Sequence, residues 1–463
     1  MNLARKMIFL SMGCFTCIGA KAQIDCTTST KLTCLIPFAA NGTHQNGAAG
    51  ATATVDASIF NGAIGSQLSQ LPLAGSAPGV TILTIKGNPE PYNNLGPVLI
   101  DRPDSIGQGK FVLGFSAQEF TFNRLDSYRI GAIPLVYYVS QSQNYFAQTV
   151  NASVKYNQYV ILATYGLPMK TDISVIVPYT RISLRGAALN PVTYSASTFI
   201  EGTAPTPGTS GSTPGSAKGL GDIILNVKHV LWSGGEPGRA SVAAGAALRL
   251  PTGDPLNYLG SGAYGVNLYG LAAYKAKFSP HIKIGYQWNT NSVLSFNYAA
   301  YTAGGNGNQR LPGGLQSAVG VDYGPARWIT LSADILTNEF QNSPSISVVP
   351  FSSTANSATL FGTIPNPATP PALGNATCNS NLTGATSAAL VGNLCTATSV
   401  DKSYTAVNFS GGFKLKPLKH QNLILYGNVL IQATDVGLRS EASPSVGISY
   451  NFSSNKWPHW LYR

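Results

Sequence analysis

Few side chains in these 463 residues are equipped for chemistry. Histidine stands at 44, 229, 281, 420 and 459. A serine hydrolase needs an imidazole placed to take the hydroxyl proton, yet none of the five has a serine two residues further on. The run PTGD at 251–254 holds no nucleophile pattern, and its Pro and Gly simply turn a corner. No phosphate-cradling glycine loop or cofactor fingerprint appears, so neither catalysis nor a cofactor is expected. Four cysteines beyond the leader form two near pairs, Cys26/Cys34 and Cys378/Cys395. Their even number and non-zinc spacing favour two local disulfides over a metal site. That leaves isolated charges in otherwise alternating stretches: Lys110, Lys228, Arg249, Lys283 and Lys414, with Asp222, Asp322 and Asp334. Whether they select ions or only pair with one another depends on the elements that carry them.

Composition narrows those elements. Only 10% of the residues are Asp, Glu, Lys or Arg, against roughly 25% in ordinary soluble domains. So little charge means that much of the exterior does not face water. Residues 1–22 read as a secretory leader: Arg5 and Lys6, then the apolar run MIFLSMGCFTCIGA, then Ala20-Lys21-Ala22 as the cleavage site. Without Arg5, Lys6 and Lys21 the net charge falls from +11 to +8. The positive residues are scattered rather than striped, which argues against nucleic acid and for contact with anionic lipopolysaccharide. Beyond the leader no stretch approaches the roughly 18 apolar residues of a spanning helix. An exported, charge-poor chain without such a helix points to a closed β-barrel, whose backbone groups pair between strands and leave no edge in lipid.

Twelve segments fit barrel strands: Gly109–Phe122, Ser153–Tyr165, Asp172–Leu184, Gly219–Trp232, Arg239–Leu250, Gly262–Tyr274, His281–Asn289, Leu311–Tyr323, Trp328–Phe340, Tyr404–Lys416, Asn422–Gln432 and Ala442–Phe452. Short, turn-rich links (GLPMKT, SGGEPG, KAKFSP, GPAR, PLKHQ) alternate with generally longer ones, notably 123–152, 185–218 and 341–403. The fold class is therefore all-β, a membrane-spanning antiparallel up-and-down barrel over 109–452. Its short turns and both termini face the periplasm, and the tail 453–463 follows.

The segment AYGVNLYGLAAY shows the logic of one strand. Every second residue from Tyr264 to Tyr274 is apolar, with a phenol at each end. Ten steps of about 3.3 Å, tilted by roughly 45°, span about 23 Å, close to an apolar band of about 25 Å. Tyr264 and Tyr274 then belong to aromatic girdles, as do Tyr286, Trp288, Trp328, Tyr450 and Phe452. The opposite faces turn the eight charged residues into the lumen, as a polar pore or as pairs that fill it. His281 and His420 fall at periplasmic turns, and His229 at the interface. The N-terminal extension 23–108 carries a helix near 56–71, able to plug the lumen or rest on the periplasmic side. Short extended pieces follow at 80–86 and 96–100, and 202–218 reads as a mobile low-complexity linker.

LGDIILNVKHVLW, LRLPTGDPLNYLGSGAYGVNLYGLAAYK and IKIGYQWN resemble the meta-pathway phenol-degradation family of outer-membrane transporters. The matching words are Gly221-Asp222, Leu250–Asp254, Leu259–Gly262 and Gly285-Tyr286. Residues 34–38 and 67–72 look like a subgroup with a long N-terminal extension. The resemblance implies a barrel in the bacterial outer membrane that takes up small, often aromatic, molecules. It also implies that the barrel-assembly machinery reads the last strand at Phe452, although here the chain runs on. Two functions are expected to compete: a passive small-molecule channel, and a structural barrel with a closed lumen whose outer loops, above all 341–403, bind a protein partner.

Overall fold

The computed structural model describes residues 30–35, 60–72, 82–85, 88–91, 94–139, 144–195, 206–207, 212–234, 239–296, 307–350, 395–417 and 422–452. The leader, the tail 453–463 and residues 351–394 of the longest loop lie outside them.

Twelve antiparallel strands close on themselves: β1 (Phe111–Leu125), β2 (Asn144–Leu167), β3 (Thr171–Ser195), β4 (Ile223–Gly234), β5 (Ala240–Leu250), β6 (Gly265–Tyr274), β7 (Phe278–Asn289), β8 (Gly314–Ala326), β9 (Ile329–Pro350), β10 (Cys395–Leu415), β11 (Leu423–Gln432) and β12 (Ser443–Phe452). Each pairs with its neighbour in sequence, and β12 returns to β1 through Phe452↔Phe111 and Ser445↔Gln118. All twelve expected segments are strands, because period-2 patterning specifies a wall with unlike faces.

The strands differ from expectation in length. β2 and β3 run 24 and 25 residues, and β9 and β10 run 22 and 21. About ten cross the apolar band, so these four continue as hairpins into what the sequence reads as the loops 123–152, 185–218 and 341–403. The expected linker 202–218 is partly strand too: Ser212–Leu220 pairs with β3 from Ala187 to Tyr179, before the chain turns at Gly221-Asp222 into β4. Pairing against an already extended neighbour overrides a Gly/Ser/Pro-rich composition. Residues 82–85 form a strand within the expected 80–86, whereas 96–100 do not, their backbone bending at 98–100.

The two faces are chemically opposite. Leu113, Phe115, Ile161, Val266, Leu268, Ile282, Ile284, Leu331, Phe409 and Ile448 are exposed on the outside. Gln118, Gln158, Ser174, Lys228, Asn267 and Asn428 are buried inside. In water that arrangement would expose a contiguous apolar belt; in lipid it is the favourable one. The closed ring with an oily exterior places the chain in the bacterial outer membrane. Tyr264, Trp288, Tyr274, Trp328 and Tyr450 are exposed at the two rims, while Tyr286 and Phe452 are half-buried. Tyr264, Tyr286 and Trp288 lie at the long-loop rim, with Tyr286 and Trp288 in contact at 4.5 Å. Tyr274, Trp328, Tyr450 and Phe452 lie at the other.

Candidate functional site: a lumen occupied from both ends

The interior holds two described parts of the chain's own N-terminal extension, residues 60–72 and 94–107. Helix α1 (residues 60–68) sits at the long-loop end. Phe60, Ala63, Ile64 and Leu68 pack with Phe120, Leu125, Val154, Leu184, Tyr258 and Leu294 in one apolar cluster. Burying a side chain of this size stabilises by about 1.5–3 kcal/mol, so α1 is held well beyond what so short a helix could supply alone. Polar ties fix its register. Tyr258 donates to Asn61 and the Leu438 N–H to Gln67, while Asn61 Nδ2 donates to the Thr33 carbonyl at 3.0 Å. Gly62 allows the closest approach: a Cβ there would meet Pro344 Cβ at 2.7 Å.

Two expectations bear on these contacts: a helix in the lumen or on the periplasmic side, and an N-terminus in the periplasm. The helix fills the end opposite the short turns and does not rest on the periplasmic side. Residues 31–35 lie at that same end, not in the periplasm, since Lys31 Nζ reaches Asp254 at 2.8 Å and the Leu32 N–H reaches Asn257 at 3.2 Å. The words that carry the family resemblance build the dock. Asp222 Oδ1 accepts from the Gly253 N–H at 3.1 Å and Oδ2 from the Ser261 N–H at 2.7 Å, pulling the 251–264 corner onto β4. A Cβ on Gly260 would sit 2.4 Å from Asp222 Oδ1, so the Leu-Gly-Ser-Gly turn needs its glycine. Burial works to raise the Asp254 carboxyl, but Lys31, Asn257 and the Leu256 N–H together hold it below its ordinary value.

Residues 94–107 occupy the short-turn end. The Leu95 N–H donates to Thr330 Oγ1 at 2.7 Å, and Asn94 Nδ2 to Ser279 Oγ at 3.1 Å. Lys228 Nζ meets the Arg102 carbonyl at 2.7 Å, Asp101 at 3.3 Å and Asp172 at 3.5 Å. Asp104 pairs with Lys275 at 2.5 Å and Arg102 at 3.6 Å. Burial pushes its carboxyl up, and those two cations more than offset this, leaving it below the usual carboxylate range.

The eight charges read as lumen-facing therefore have different fates. Lys228, Lys414 and Arg249 bind the extension: Lys414 through the Leu95 carbonyl at 3.5 Å, Arg249 through the Ser69 carbonyl at 3.0 Å. Asp222 fastens a loop. Asp322 and Asp334 flank His281, at 3.5 and 2.8 Å. That histidine, expected at a turn, is buried inside because it shares the parity of Lys283. Its Nε2 is hydrogen-bonded to Asp334 at 2.8 Å and its Nδ1 to the Ser279 carbonyl at 3.3 Å, so both nitrogens are engaged. Lys110 precedes β1 and is half-buried beside Gly107. Lys283 faces inward with its ammonium 4.6 Å from the centre of the Tyr269 ring. The sequence reading missed Asn94, Asp101, Arg102, Asp104 and Lys275. The signal was IDRPDS (100–105), a knot of charge in a charge-poor chain just ahead of the first strand.

Between the two inserted parts remains a cavity of about 320 Å³. Leu68 and Pro72 close it from the helix side, Leu99 and Asp101 from the other, and Asn267 and Lys283 lie in its wall.

Among solved structures, an outer membrane channel from Pseudomonas putida F1 is similar at 10% identity and a TM-score of 0.42, over 77% of this chain and 100% of that one. The translocator domain of the autotransporter NalP from Neisseria meningitidis matches at 9% identity and 0.32, over 75% and 89%. A Pseudomonas aeruginosa FadL homologue matches at 9% and 0.26, over 74% and 88%. No curated protein matches the chain by sequence. Residues 101–324, a stretch that holds the Gly-Asp, Leu-Pro-Thr-Gly-Asp and Leu-Gly-Ser-Gly words, match the family model described as "Putative MetA-pathway of phenol degradation".

Proposed function

We propose that the protein is an outer-membrane channel for passive uptake of small molecules, hydrophobic or aromatic ones included, whose N-terminal extension is a plug seated in its own lumen. The cavity of about 320 Å³ between helix and inner segment carries this reading: a wall packed solid would leave no such chamber. Lysines and aspartates of the inner wall set selectivity. Lipid and lipopolysaccharide surround the belt, the assembly machinery reads β12, and residues 1–22 direct export. The pairs Cys26/Cys34 and Cys378/Cys395 are the disulfides, a reading supported by Cys34 and Cys395 each being disulfide-bonded.

A second reading, a structural barrel whose outer loops bind a partner, is favoured by the apolar cluster sealing the long-loop end. Planar-bilayer conductance separates the two. A silent or weakly conducting full chain and a conducting variant lacking residues 23–100 support the plugged channel. Silence from both supports the structural barrel.

A further inference from the structure

The chamber between α1 and the inner segment has a composition unlike the rest of the lumen. Elsewhere the inward cations are engaged: Lys228 and Arg249 stand 3.3 and 3.8 Å from carboxylates, and Lys414 reaches a carbonyl. Lys283 forms no ion pair among the described residues and rests over the Tyr269 ring instead. Tyr269 is itself tethered, its hydroxyl donating to Asn226 Oδ1 at 2.8 Å. The ammonium is thus held at the chamber wall with no carboxylate in contact among the described residues, the Asp101 of the same wall being engaged by Lys228.

Two further side chains lining the chamber are unsatisfied. Gln158 Oε1 and Asn267 Oδ1 accept no hydrogen bond, although these residues are only 5% and 8% exposed. The Asn267 amide is fixed in orientation, because its Nδ2 donates to Gln316 Oε1 at 2.7 Å. A buried acceptor without a donor costs about 1–3 kcal/mol, so an occupant that donates is favoured there. Leu68, Leu99, Ile100 and Leu162 give the chamber an apolar part, beside polar residues such as Ser174, Asn226 and Gln287. A volume of about 320 Å³ lies at the lower end of the roughly 300–1,000 Å³ typical of small-molecule sites.

We propose that this chamber binds a small organic carboxylate with an apolar body and a hydroxyl donor, its anionic end on Lys283 and its hydroxyl on an unpaired amide oxygen of Gln158 or Asn267. The body fills the space between Leu68 and Leu99. The site deepens the channel reading and rests on it only for the ligand's route in. Occupation puts the carboxylate against an ammonium already desolvated by folding, where a charge-assisted contact is strong. It also touches both inserted parts of the extension at once, so the ligand sits where it bridges helix and inner segment.

Titration calorimetry on the detergent-purified full chain tests the site, with 4-hydroxybenzoate as the probe. Its neutral methyl ester lacks the charge, and benzoate lacks the hydroxyl. The wild type is expected to bind the acid at least about tenfold more tightly than the ester, as one charge-assisted hydrogen bond implies. Benzoate is expected to bind several-fold more weakly than 4-hydroxybenzoate. Lys283→Met should abolish the acid-over-ester preference and Lys283→Arg should keep it. The acid–ester comparison in the wild type needs no variant, so it stands even if Lys283→Met fails to fold. No binding of the acid, or equal binding of acid and ester, overturns the site. Conductance of the variant lacking residues 23–100 is read separately: binding without conductance sinks the channel and spares the site, and conductance without binding does the reverse.

Discussion

Arg249, on the barrel wall, donates to the carbonyl oxygen of Ser69 at 3.0 Å, just past the last turn of α1. The same guanidinium reaches Asn289 Oδ1 at 2.7 Å and stands 3.8 Å from Asp222. One side chain therefore joins β5, β7, the loop-fastening aspartate and the C-terminal end of the helix, where a cation also suits the helix dipole.

Arg249→Leu removes that tie but keeps an apolar stem in place. Hydrogen bonds to a charged group contribute about 1.5–3 kcal/mol each, so seating of the helix should weaken by at least that amount. Single-channel recordings should show a higher open probability than wild type, with the barrel still heat-modifiable on gels. Unchanged conductance would separate Arg249 from gating.

Lys228→Met leaves Asp101 and Asp172 facing each other without their cation. Breaking one side of a buried pair costs about 3–5 kcal/mol, and the unfolding midpoint should fall accordingly. Adding Asp101→Asn should recover part of the loss, because it removes one of the stranded charges. A double variant no more stable than the single one would argue against direct pairing.

Gly62→Ala weighs two effects of opposite sign. Helix propensity favours Ala by about 1 kcal/mol, while the new methyl would sit 2.7 Å from Pro344 Cβ, an overpacking that costs about 1–3 kcal/mol. The clash should win, lowering the thermal midpoint. Gly65→Ala should be milder, since its nearest neighbour is Leu294 Cδ2 at 3.0 Å, the tip of a side chain that can move.

Acid should loosen the outer dock. The Asp254 carboxyl is held below its ordinary 3.8, mainly by Lys31 acting against burial. A depressed carboxyl contributes stability that is present above pH 3.8 and lost as pH falls through the lowered value. The pair is partly exposed, so the contribution is of the order of 0–1 kcal/mol. Amine labelling of Lys31 on intact vesicles, after brief exposure to successively lower pH, should rise in the wild type only below that point. In Asp254→Asn it should be high throughout.

The barrel wall was legible because its rule is local. Alternation along β6, β7, β9 and β12 marks the oily face, and the phenols of Tyr264 and Tyr274 mark its height. The extension was not legible, because its partners are remote: Asn94 bonds Ser279 across 185 positions, and Asp101 meets Lys228 across 127. Pattern-reading offered Lys228 the aspartates of other strands as partners; it has one in Asp172 of β3, but it also takes Asp101, from a segment before the first strand. For α1 the period-3.6 pattern showed a helix with a buried face. Burial on every side, including Asn61 and Ser66, shows only in the packed chain.

The central claim is that residues 94–107 lie inside the barrel against its short-turn end. Leu95 and Thr330 test it most directly, since the amide of one meets the hydroxyl of the other at 2.7 Å. Cysteines introduced at both positions should bridge in whole cells, giving a reducible, faster-migrating band and locking any conductance at its plugged level. No bridge, with Leu95→Cys freely labelled by a bulky maleimide added from the periplasmic side, would contradict it.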